Sequence, residues 1–174
     1  METANFEYNY DDMDVVTAGS GVISAKGELV MIIEVSGDRN YSHYKVMELK
    51  NKLRAAKDLI LFGMVVDSER MEIFKWDGER LSEPVCVLNT ADILVNYEPK
   101  FREKRIYPTY LQTLVESWLR DLAYNWKREI PPASKELDGI GLLGLIKDGT
   151  TKPDIVIKGY GCVVGISAEY LKVV

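Results

Sequence analysis

Two hydrophobic rhythms alternate along the chain. Residues 29–35 (LVMIIEV) and 59–66 (LILFGMVV) are nearly unbroken apolar runs of strand length, the pattern of strands buried on both faces of a sheet. Residues 15–25 are rich in Val, Ile, Thr and Gly and read as a strand that Gly19 and Gly21 bend or bulge. A turn at 25–28 joins it to 29–35 as a hairpin. Between the two apolar runs the period changes. Val46, Leu49, Leu53 and Ala56 fall at helical spacing, which predicts an amphipathic helix over 43–57 with Ser42 as its cap. Lys45 and Lys52 flank the apolar stripe of this helix on one side, and Lys50, Arg54 and Lys57 flank it on the other. Residues 71–76 (MEIFKW) alternate and read as a more exposed strand, paired with 59–66 through the tight connection 67–70. A strand–helix–strand unit of this kind implies a parallel pair inside a mixed sheet covered by helices.

The second half is more helical. Asn89 caps a short helix to about residue 95, and 98–105 (EPKFREKR) is a charged connector. Pro108-Thr109 opens the clearest helix, with Thr109 and Gln112 matching a capping box. Its stripe of Leu111, Leu114, Val115, Trp118, Leu119, Leu122 and Trp126 predicts a core face or a dimer interface, and Ile130-Pro131-Pro132 ends it. Ser134 caps a further helix to about residue 145, 147–153 is a turn or loop, and 155–158 and 162–166 are short strands around Gly159-Tyr160-Gly161. The expected whole is one α/β domain over 1–174, its last part, 89–174, a mostly helical extension closed by a short strand pair.

Composition adds bounds. With 174 residues and 47% hydrophobic content, the chain can bury a core without disulfides or metals. A net charge of −5 argues against a surface that grips nucleic acid all round. The charge is uneven, however: 38–58 carries six bases against three acids, while 1–14 is purely acidic. The helix 43–57 is thus either a solvated face or a local basic patch that could meet nucleic acid. Cys86 and Cys162 lie in apolar runs and read as small buried hydrophobes, with no zinc or disulfide spacing. The acidic N-terminal segment has no signal-peptide pattern, and no apolar run approaches the roughly 18 residues of a membrane span. The cytoplasm is the default compartment.

Glu34 is the first candidate for chemistry. It interrupts an apolar run near the carboxyl end of a central strand, where ligands of α/β sheets bind. A carboxylate there must be paired, hydrogen-bonded or holding a metal, so it is either a site residue or an acid pairing with a nearby lysine. His43 is the only histidine, which excludes multi-histidine metal sites and paired histidine catalysts; at a helix start it reads as a surface residue. Residues 139–144 match G-x-G-x-x-G literally, but no buried strand precedes and no long helix follows.

The hairpin ending in Glu34-Val35-Ser36, the helix, the strand and the second hairpin together resemble the PD-(D/E)xK nuclease superfamily. They are similar in particular to the N-terminal nuclease-like domains of type I restriction subunits and their stand-alone relatives. The resemblance covers 12–80 and implies a restriction-endonuclease-like mixed sheet flanked by helices. It also implies an Asp and a Glu holding Mg²⁺ or Mn²⁺, with a lysine stabilising developing charge. Carried over, the metal ligands are Asp14 and Glu34 and the catalytic residues Glu34 and Lys45, the lysine coming from the helix because position 36 is Ser. Asp14 lies 20 residues before Glu34, and simple hairpin register sets Gly19 opposite Glu34. Three readings follow: a degenerate nuclease-like fold kept as a binding or assembly module, a metal-dependent nuclease, and a structural partner protein without nucleic-acid affinity. Partners are expected as nucleic acid on helix 43–57, or a protein or second copy on helix 111–126.

Overall fold

The computed structural model describes residues 15–17, 19–38, 40, 42–56, 58–158 and 161–163. A six-stranded mixed sheet forms its centre. β2 (Ser20–Ile23) and β3 (Leu29–Val35) make the first hairpin, α1 (Ser42–Ala55) crosses over, and β4 (Phe62–Val66) returns parallel to β3. β5 (Arg70–Lys75) and β6 (Cys86–Asn89) continue antiparallel, and β7 (Thr150–Pro153) adds to the far side, giving the order β6-β5-β4-β3-β2-β7. β1 (Val15–Thr17) belongs elsewhere. It pairs with β8 (Val156–Lys158), which pairs with β9 (Gly161–Val163), in a separate three-stranded sheet. The segment 15–25 is therefore two strands serving two sheets, and the register of the first hairpin shifts at Val22/Ile23 rather than at the glycines. Gly21 meets a different need. A Cβ there would lie 2.1 Å from Ile155 Cδ1 and 2.8 Å from the Met31 carbonyl oxygen, so its missing side chain lets the C-terminal segment cross the sheet closely.

The helical half packs on the sheet. α2 (Thr90–Leu94) begins at Asn89, whose Oδ1 accepts from the Asp92 amide at 3.0 Å, as its sequence predicts. α3 (Pro108–Tyr124) starts two residues earlier than a Thr109 cap requires: Tyr107 is the cap residue, without a side-chain bond, and Pro108 fills the first turn where a missing N–H costs nothing. The helix stops at Asn125 in the left-handed conformation, φ 53°, before the proline pair is reached. Trp126 consequently lies outside the helix and is half exposed. Leu111, Leu114, Val115, Trp118, Leu119 and Leu122 are buried with Met31, Ile33, Met64 and Ile73 of the sheet. The stripe is thus core, and it is not available as a dimer face.

Residues 134–146 form two short helices, α4 (Ser134–Gly139) and α5 (Leu142–Ile146), because Gly141 at φ +82° breaks the path. Ala133 in the left-handed region, rather than Ser134, precedes the first. The expected loop 147–153 contains β7 (Thr150–Pro153), which closes the sheet against β2. On the opposite face α1 lays Leu49 and Leu53 on Ile32, Val65 and Phe74, beside Ile155 and Ile157. Among the described residues no helix is long and apolar enough to cross a membrane.

Candidate functional site

Alternation along β3 puts Ile33 and Val35 on the α3 face and Ile32 and Glu34 on the α1 face. Glu34 is 3% exposed beneath α1. Lys52 Nζ donates to Glu34 Oε1, and Lys45 Nζ stands 4.0 Å from Oε2. Lys45 itself donates to Glu48 at 2.8 Å. The two lysines are seven residues apart, two helical turns, so both hang from one side of α1. Burial pushes the Glu34 carboxyl above its ordinary range, and the Lys52 hydrogen bond and both lysine charges pull it back only in part. The Lys45 ammonium is held above its usual value chiefly by the Glu48 hydrogen bond.

The structure thus brings Lys45 near Glu34, as the sequence suggests, but gives the direct contact to Lys52. The even spacing of the two lysines on one flank of the stripe was the signal for it. Position 36 is a buried serine whose hydroxyl donates to the Asp38 carbonyl at 2.6 Å. Asp14 lies outside the described residues. The strand that begins at the next residue pairs Val15 with Lys158 rather than with β3. His43 is exposed in the first turn of α1.

Two further acids share this face. Glu72 lies in the cross-strand row Glu34, Val65, Glu72. Two strand spacings separate it from Glu34, about 10 Å, too far for one cation to bridge, and it pairs with Arg70 at 2.6 Å. Asp67, buried just after β4, accepts from the Glu69 and Arg70 amides at 2.8 Å each and so builds the β4–β5 turn. Among the described residues no three His, Cys, Asp or Glu side chains gather as a metal-ligand set. The side chains paired with Glu34 among the described residues are two lysine ammoniums, and neither can ligate a divalent metal while protonated.

The basic face of α1 is smaller than its sequence suggests. Lys45 and Lys52 are turned onto Glu34, and among the described residues Lys50 and Arg54 are the helix's exposed cations. The G-x-G-x-x-G stretch spans the break between α4 and α5, and Cβ atoms at Gly139, Gly141 or Gly144 would meet nothing within 4 Å. Comparison of the chain with protein-family models, with curated proteins and with solved structures finds no match.

Proposed function

We propose that this chain is a nuclease-like α/β domain of the PD-(D/E)xK type kept as a binding or assembly module. The element order supports the first part of this reading: a hairpin, a crossover helix, a strand parallel to the hairpin's second strand, and an acid near that strand's carboxyl end. One observation carries the second part. The carboxylate in the family's metal position is buried and hydrogen-bonded to a lysine, with a second lysine beside it. A carboxylate so paired is a satisfied core charge, and a metal would have to displace an ammonium to reach it.

A second reading has its own support. Both lysines come from the helix after β3, as a nuclease with a relocated lysine requires. One assay separates the two. The protein and Glu34→Gln are incubated with single- and double-stranded DNA and RNA in Mg²⁺ or Mn²⁺, with circular dichroism to check folding. The module reading expects no cleavage that depends on Glu34. Cleavage by the unaltered protein that vanishes in Glu34→Gln and in chelator would overturn it in favour of the nuclease.

A further inference from the structure

The outer face of α3 is unlike the rest of this acidic chain. The 17-residue helix has two acids, Glu116 and Asp121, and both are turned inward, 8% and 0% exposed. Gln112 Nε2 donates to Glu116, and Asp121 accepts from the Tyr97 hydroxyl at 2.7 Å and from the Lys127 and Arg128 amides. At spacings of three and four, Tyr110, Thr113 and Tyr124 are exposed and Ser117 and Arg120 half-buried, Arg120 donating to Thr151 at 2.7 Å.

Aromatic rings and cations stand at both ends of this strip. Tyr107 and Tyr110 are 59% and 39% exposed. The Arg105 guanidinium lies 5.1 Å from the Tyr107 ring centre and the Lys104 ammonium 5.3 Å from that of Tyr110. At the other end the left-handed Asn125 turns the chain back, so that the Trp126 indole N–H donates to the Ser117 carbonyl at 2.9 Å. Lys127 sits 5.5 Å over the neighbouring Tyr97 ring. Arg102 and Lys104 are matched by Asp92 and Glu98. Arg105 and Lys127 have no carboxylate in ion-pair reach among the described residues.

We propose that this strip binds single-stranded nucleic acid. Bases stack on Tyr107, Tyr110 and Trp126, and phosphates meet Arg105 and Lys127. A cation on one face of a tyrosine steadies the ring and leaves the other face for a base. Such rings need unstacked bases, which single strands offer and duplexes withhold. The helix is about 25 Å long, room for a short run of nucleotides. The inference rests on the binding-module reading, and it assigns the nucleic-acid surface to α3 instead of α1.

The test uses the full chain in EDTA with fluorescent oligothymidylate and oligouridylate, beside a duplex of equal length. Anisotropy should rise with the single strands at low salt and much less with the duplex. Tyr107→Ala and Tyr110→Ala should each lower affinity roughly tenfold. Arg105→Ala should reduce the slope of log K against log salt by about 0.7. Trp76 and Trp118 are buried and Trp126 is 49% exposed, so quenching of tryptophan emission on binding should vanish in Trp126→Phe, which keeps a ring for stacking. The proposal is overturned by no anisotropy change with either oligonucleotide. Equal affinity in the tyrosine and Arg105 variants would overturn it too, as would a sedimenting dimer abolished by Tyr110→Ala. Glu34-dependent cleavage in Mn²⁺ would sink the module reading alone and leave these EDTA measurements standing.

Discussion

Replacing Lys52 by methionine should leave Glu34 as a buried carboxylate with Lys45 as its remaining cation, 4.0 Å away. Removing one partner of a buried pair destabilises by about 3–5 kcal/mol. Lys45 stays in reach and Lys52 is itself partly solvated, with 14% of its side chain exposed, so the lower end applies, about 3 kcal/mol. For a domain of this size that lowers the melting temperature by roughly 6–12 °C. Glu34→Leu should cost less, about 1–2 kcal/mol, because an unpaired Lys52 can bend its head to water. The double variant Glu34→Leu/Lys52→Met puts apolar groups beside Val65, Leu49 and Leu53 and should fall within about 1 kcal/mol of the parent. Urea unfolding of the four proteins closes the cycle, with an expected coupling of about 4 kcal/mol. If Lys52→Met costs under about 1 kcal/mol and the two single effects simply add, Glu34 is solvated and the reasoning about a satisfied core charge fails.

Four further outcomes follow from the same geometry. Because burial raises the folded-state Glu34 carboxyl above its ordinary 4.5, its protonated form favours the native state. The stability it contributes is full below the ordinary value and is lost as pH rises through the raised one; urea midpoints against pH should show this slope and lose it in Glu34→Gln. Trp118→Ala removes a fully buried ring and its hydrogen bond to the Pro132 carbonyl; a loss of about 4 kcal/mol is expected in chemical unfolding. Gly21→Val drives a side chain into Ile155 and the Met31 carbonyl and should cost at least about 3 kcal/mol, read as a lower melting temperature. Gly144→Ala meets open space within α5 and should raise stability by about 0.5–1 kcal/mol.

The parts of the fold legible in the sequence are those with a strong local period. LVMIIEV, LILFGMVV and the stripe of α3 each announce their element, and the parallel β3–β4 pair follows from the helix between them. What escaped was decided by distant partners. β7 reads TTKP, with no apolar alternation and a proline; it is a strand because β2 offers it an edge, where proline is tolerated. β6 is a strand because β5 needs a neighbour. At the site, Glu34 was marked by its position, whereas the choice between Lys45 and Lys52 depends on how α1 lies across the sheet. Lysine side chains are long enough for either turn to reach the carboxylate. The inward turn of Glu116 and Asp121 was hidden for a related reason: both fall among the apolar positions of α3, and only their partners show why they are tolerated.

The closure of the sheet by β7 also has a consequence for biosynthesis. Ser20 pairs with Pro153, about 130 residues later, which a ribosome adding roughly 5–20 residues per second needs on the order of ten seconds to supply. Throughout that interval the β2–β3 hairpin can form, but its outer backbone has no mate. A bare edge of this kind invites other nascent chains. Chains truncated before residue 150 should therefore be caught by holdases or precipitate, even though the core under α3 is already present and only Ile155 and Ile157 are missing from the buried cluster beneath α1.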